Sequence, residues 1–342
     1  MFFQPNRVWR CYKGGKLLDK LMGNGSGEDT LYPENWLGSV TRADNGEHST
    51  CPDEGISRLR SGELFSDILA ENSRELLGTD GREPGVLCKF LDSAIRLPFQ
   101  CHPDREFARK YCNSEYGKTE SWFILDTRKI DGEEPYILLG FKPGIDRKAF
   151  RKAVLEQDIP AVLDMMHKIP VKPGDNFFIP GRIPHAIGTG VLMLEVQEPT
   201  DLVIQPERKI GDITLSDKDM WQMLTVEQGL DCFEYKGRTL EEIKSELVIP
   251  CPDAVNQTVP LVDSDRTDCF RVSLLRLEAG RDFSCSGNGK WQLAAVTAGR
   301  GKVCAGTAED IAKGDCFFVP ATVKGMTFTA GNDGLNVFLI QK

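Results

Sequence analysis

One segment of the chain occurs twice. VKPGDNFFIPGRIPHAI from Val171 returns as IAKGDCFFVPATVKGMT from Ile311, with Gly174/Gly314, Asp175/Asp315, Phe177/Phe317, Phe178/Phe318 and Pro180/Pro320 matching at an offset of 140. A glycine–aspartate turn followed by a short apolar run that ends at proline reads as a β-strand entered through a tight turn. Upstream, SWFIL around Trp122 resembles KWQLA around Trp291 at an offset of 169. The two offsets differ by 29, the length of Lys142–Pro170. The repeat therefore predicts one β-fold used twice, with a segment spliced into the first copy.

The spliced segment has a different texture. AFRKAVLEQ and PAVLDMMHK carry helical periodicity and good helix formers, so a helical insertion is expected over about 142–170. Phe65–Leu77 also reads as a helix. Residues 1 to about 60 read as loop-rich, and after the insertion strands are expected to resume with NFFIP and VLMLEVQ and to alternate with turns almost to the C-terminus. The expected fold class is mainly β, in two sandwich domains: 1–250 with the helical insertion, and 251–342. A chain of 342 residues has room for both without disulfide staples.

Composition narrows the function. A net charge of −9, with no basic run, argues against nucleic acid or an anionic membrane as partner. No apolar stretch approaches the roughly 18 residues that span a bilayer, and MFFQPNRVWRCYKGG lacks the apolar core of a secretion signal. Eleven cysteines without CxxC spacing read as reduced thiols of a cytoplasmic protein.

The candidate chemistry lies in LPFQCHPD and GKTESW. In a strand, residues two apart share a face, so Gln100 and His102 project together while Cys101 points away. Glu120 and His185 complete a set suited to a first-row divalent ion, Zn²⁺ foremost, with Mn²⁺, Fe²⁺ or Co²⁺ also acceptable. The bland alternative has His102 capping the HPD turn and His185 filling a polar niche. The repeat supplies a control: at the offsets above His185 aligns with Gly325 and Glu120 with Gly289, so the polar candidates occur in one copy only. That asymmetry favours chemistry over structure.

QxHPD, GKTE and PGD-FFIP----HAIG-G-L-LE-Q together resemble the type I phosphomannose isomerases, zinc enzymes of the cupin superfamily, from about Pro98 to Asp201. ENWLGS around Trp36 is similar to the family's ESWEIS. The resemblance implies two jelly-roll cupin domains, with metal in the first and none in the last. It places the metal ligands on Gln100, His102, Glu120 and His185, and the polar residues facing substrate on Lys118, Glu195 and Asp201. It implies isomerisation of mannose 6-phosphate to fructose 6-phosphate through an enediol, with a sugar or sugar phosphate as the small-molecule partner; a homodimer is left open.

Glu195 is the expected proton shuttle, because a carboxylate on the inner face of LMLEVQ would be partly desolvated and its pKa raised. A structural partner for a backbone or lysine group is the competing role. Lys118 reads either as an enediolate or phosphate contact or as an ion-pair partner of Glu120, and Asp201 equally as a turn residue. Three positions depart from the family pattern. Pro98 replaces a serine, Gln205 replaces an arginine, and VTRADNG lacks a histidine. The lost charge predicts weaker recognition of a phosphorylated sugar, unless Arg182 or Arg208 restores a cation. The alternatives to the named isomerase are a metal-binding cupin that holds a sugar without turnover, and an isomerase of another sugar.

Overall fold

The computed structural model describes residues 1–49 and 51–342. Its first large sheet is antiparallel, in the order Arg7–Val8, Glu34–Leu37, Leu87–Ser93, Val191–Gln197, Glu120–Thr127, Asn176–Ile179. The central strands, Leu87–Ser93 and Val191–Gln197, are buried along their whole length, so both faces of the sheet are covered. A smaller sheet, Met166–Pro170, Tyr136–Phe141 and His185–Ile187, shares a core with one of those faces. The bridges Gln100↔His185 and Cys101↔Ile204 extend the small sheet towards the ligand candidates. Between the two sheets lies the cavity described below.

The other face of the large sheet meets a second sheet built from residues 257–341. Strand alternation decides which side chains go where. Leu293 and Ala295 pack with Phe123, Phe178, Leu194 and Val196 of the first sheet, while Ala294 and Val296 point into the second unit's own core. Phe318 lies in the shared core with Trp291 stacked on it at 5.6 Å, whereas Phe317 turns inward. The chain start joins the second sheet too: Phe2 bridges Phe317, and the Met1 and Phe3 nitrogens donate to Phe318 and Cys316.

The repeat is visible in detail. Gly174 and Gly314 take φ of +94° and +93°, a region open to glycine. Gly174 N–H donates to Ile124 and Gly314 N–H to Val296, and in each copy the aspartate accepts from the backbone three residues before it. These bonds correct the upstream alignment. Trp122 pairs with Phe177 and Ala294 with Phe317, so Trp122 corresponds to Ala294, at an offset of 172 rather than 169. Glu120 then corresponds to Gln292, not Gly289, since Glu120 pairs with Ile179 and Gln292 with Val319. The second copy still lacks the carboxylate and the histidine.

Helix placement differs from the sequence reading in three places. The insertion forms helices Arg147–Glu156 and Ile159–Asp164, but Met166–Pro170 is a strand held by Tyr136–Phe141. Beyond Val191 the chain makes helices Asp217–Trp221, Val226–Cys232 and Leu240–Leu247 where strands and turns were expected. Each begins with a capping box, Ser216/Asp219, Thr225/Gln228 and Thr239/Glu242, a signal present in the sequence. Phe65–Leu77 is helical as expected. Lys16–Met22 is a further helix in the segment read as loop.

Candidate metal centre

Two strands and a bridged segment build the site. Gln100 and His102 flank Cys101, whose thiol lies in the core 3.5 Å from the Cys232 sulfur, while Gln100 and His102 line the cavity. The i/i+2 rule thus separates ligand candidates from core within three residues. His185 begins the strand that pairs with Tyr136–Phe141, and Glu120 begins the strand that pairs with Val191–Gln197.

The two imidazoles are oriented alike. His102 Nδ1 donates to the Leu202 carbonyl at 2.9 Å and His185 Nδ1 to the Ile183 carbonyl at 2.8 Å. A carbonyl only accepts, so the proton sits on Nδ1 and each Nε2 presents a lone pair. Both Nε2 atoms lie 3.4 Å from Glu120, on opposite oxygens. His102, Glu120 and His185 bring ligand atoms within 4.8 Å of one another, all buried. His185 Nε2 has no hydrogen-bond partner although it is buried. An orphaned buried lone pair is costly, and a cation between the two Nε2 atoms and the carboxylate would satisfy it. The residues fit a divalent metal.

Charge in the site is arranged accordingly. Burial, then Lys118 nearby, pushes His102 well below the ordinary imidazole value, and burial brings His185 down to about 4. Both are neutral near pH 7, the form that ligates metal. Lys118 Nζ donates to His102 Nε2 at 2.7 Å and to Glu120 at 3.0 Å, and Trp122 Nε1 donates to the other Glu120 oxygen at 3.0 Å. Lys118 thus sets a cation against both His102 and Glu120.

Beside the cluster a second group of buried charges lines a cavity of about 290 Å³. Glu195 and Lys89 are direct cross-strand neighbours, and Lys89 Nζ approaches Glu195 Oε2 to 3.0 Å as an ion pair without hydrogen-bond alignment. Burial raises Glu195 to about 7; Lys89 works against that shift and Glu120 adds to it. Glu34 behaves oppositely: burial pushes it up, but Arg10, Lys89 and hydrogen bonds from Tyr12 and Trp36 prevail and hold it at about 2. Asp201 is more than a turn residue, since it accepts from Arg10 at 3.2 and 3.3 Å and from the Asp44 N–H at 3.0 Å.

Other expected residues lie elsewhere. Arg182 donates to the carbonyls of Cys232 and Asp231, and Arg208 pairs with Asp217 and the Leu215 carbonyl; neither lines the cavity. Gln205 does line it, with its amide on the Asp219 carbonyl. Arg10, Glu34 and Lys89 escaped the sequence reading. Their signal was a charge in an apolar run, Lys89 in VLCKFL and Glu34 before NWL. His48 also reaches the cavity wall, stacked on Trp9 at 4.2 Å, from a later part of the loop in which no histidine was found.

Two antiparallel sheets enclosing a His/Glu/His cluster that could hold a metal ion make up a fold of the cupin kind. The particular likeness is to mannose-6-phosphate isomerases: the curated relatives carry that name and the solved structures share the fold. A probable mannose-6-phosphate isomerase of Bacillus subtilis is 33% identical over 151 residues, 43% of this chain and 45% of that protein. The match thus spans less than half of that relative. The mannose-6-phosphate isomerase of Streptococcus mutans is 28% identical over 289 residues, 80% of this chain and 81% of the relative. The crystal structure of the Bacillus subtilis mannose 6-phosphate isomerase superposes with a TM-score of 0.74 at 19% identity, covering 100% of this chain and 99% of that one. A mannose 6-phosphate isomerase bound with zinc and yttrium superposes at 0.71 and 14% identity, covering 100% and 98%. No family model matches the chain. No described helix is long and apolar enough to cross a membrane.

Proposed function

We propose that this chain is a metal-dependent aldose–ketose isomerase that interconverts mannose 6-phosphate and fructose 6-phosphate through an enediol. The observation that carries the reading is the pair of buried imidazoles with Nδ1 committed to carbonyls and Nε2 turned on Glu120. The names of the relatives support the substrate. His102, Glu120 and His185 would hold the metal, with Gln100 on the wall beside them. Zinc is the first choice, from the nitrogen and oxygen donors and from the zinc-bound structural relative. When bound, such an ion supplies Lewis-acid polarisation of a carbonyl oxygen.

The remaining work falls to side chains of this protein. Ionised Glu195 removes the C2 proton of the open-chain aldose and returns it to C1, while the O2 hydroxyl proton passes to O1, which converts aldose to ketose with no net change in atoms. Its elevated pKa, near 7, suits a group that must both accept and release that proton. Lys89 holds the carboxylate in place, and the Lys118 ammonium is positioned to donate to the oxygen on which charge develops. Arg10 and Asp201 brace the wall through their ion pair. Residues 251–342 serve as a metal-free second cupin, a division supported by the absence of histidine after His185.

Incubation with mannose 6-phosphate and identification of the product tests this. Fructose 6-phosphate should form, cease on chelation and return with zinc. Binding without conversion would select the sugar-holding alternative, and conversion of unphosphorylated mannose alone would select a different substrate.

A further inference from the structure

The cavity has four cationic walls, and three are already neutralised. Arg10 pairs with Glu34 and Asp201, Lys89 with Glu195 and Glu34, and Lys118 with Glu120. The fourth, Lys218, is exposed and has no carboxylate within ion-pair distance among the described residues. Its nearest acidic neighbours in sequence are committed elsewhere: Asp217 to Arg208, and Asp219 to the Ser216 N–H and hydroxyl.

The turn that carries Lys218 is fixed on three sides. Ser216 and Asp219 close a capping box at its start, and Arg208 grips Leu215 and Asp217. Gln205 then ties it to the cavity wall, its N–H donating to the Met220 carbonyl and its amide to the Asp219 carbonyl. Gln205 itself lines the cavity but carries no charge. An ordered backbone thus presents one uncommitted ammonium at the cavity wall, next to the residue whose own side chain is spent on holding it.

We propose that Lys218 is the anion-recognising residue of this cavity: it contacts the phosphate of a phosphorylated substrate, and so sets the preference for phosphorylated over neutral sugar. The assignment rests on the isomerase reading for the identity of the sugar, but not for the binding of the anion. The metal cluster and Glu195 act at the reacting carbons, and the carboxylates around them repel a phosphate. The charged end of the substrate is therefore directed to Lys218.

The test uses inorganic phosphate as the probe, titrated calorimetrically into the zinc-loaded full chain, alongside the steady-state kinetics of mannose 6-phosphate. Lys218→Ala should weaken phosphate binding and raise KM about tenfold or more, with kcat changed much less. Lys218→Arg should restore most of both, and Lys244→Ala, at an exposed helical lysine, should change neither. If the wild type binds no phosphate, or Lys218→Ala binds it as the wild type does, the proposal falls. If phosphate binds through Lys218 but mannose 6-phosphate is not turned over, the isomerase reading fails and the anion site stands.

Discussion

Lys89 and Glu195 sit opposite one another on the two central strands of the large sheet, each less than 5% exposed and with their charged ends 3.0 Å apart. The lysine offsets part of the desolvation that raises Glu195 to about 7. A divalent ion beside Glu120 adds to that offset, so the loaded enzyme should lose activity in acid with a limb below pH 7. Rate falls as pH drops because the base becomes protonated. Lys89→Met should move the limb to higher pH by about one unit or more. A pH profile of kcat/KM unchanged in Lys89→Met would remove Glu195 as the base.

Metal occupancy should follow the histidines. The purified chain should bind about one divalent ion, and His185→Ala should lose it and activity together, while the fold survives because the equivalent position in the second copy is Gly325. Elemental analysis with thermal melting checks both halves. Metal content equal to wild type in His185→Ala would show that the ligands lie elsewhere.

The convergence of His102, Glu120 and His185 was partly legible in the sequence because of a local rule: alternate residues of an extended segment share a face, which puts Gln100 and His102 on the cavity and Cys101 in the core. The turn chemistry of the repeat was legible for the same reason, since Gly174 and Gly314 adopt one backbone conformation. What was missed depends on pairing across strands. The partnership of Lys89 with Glu195 exists only once two segments more than a hundred residues apart are in register. The misplacement of Trp291 against Trp122 has a similar origin, because alike residues were aligned where hydrogen bonds align Trp122 with Ala294. The short helices after Ser216 were readable from their capping boxes, but their apolar periodicity is too brief to outweigh the surrounding strand pattern.

The interface between the two sheets should be a main contributor to stability. Phe318 is 1% exposed and packs with Phe65 at 5.1 Å and Trp291 at 5.6 Å. Phe318→Ala should cost about 3–5 kcal/mol, measured by denaturant unfolding. A loss below about 1 kcal/mol would mean that the shared core relaxes into the cavity or contributes little.

Glu198 links the two sheets by charge. It is buried, accepts from Arg105 Nε at 2.5 Å and from the Thr119 N–H at 3.1 Å, and Arg105 reaches on to Asp268 at 2.9 Å. Arg105→Ala strands that carboxylate beside the strand that starts with Glu120. Stability should drop by about 3 kcal/mol, while Glu198→Gln in the same background should recover part of it. A double-mutant cycle in denaturant reads the coupling, and a coupling near zero would show the pair to be independent.

The central claim is that aldose–ketose conversion here depends on a metal held by His102, Glu120 and His185. The most direct measurement is the formation of fructose 6-phosphate from mannose 6-phosphate by wild type and Glu120→Gln, each depleted of metal and then titrated with zinc. We expect wild-type activity to appear in proportion to bound zinc up to about one ion per chain. Glu120→Gln should stay at least about a hundredfold slower at the same zinc concentration, the order of loss expected when a ligand or its close support is removed. Full activity in the metal-depleted wild type, or a Glu120→Gln variant as active as wild type, would contradict the account.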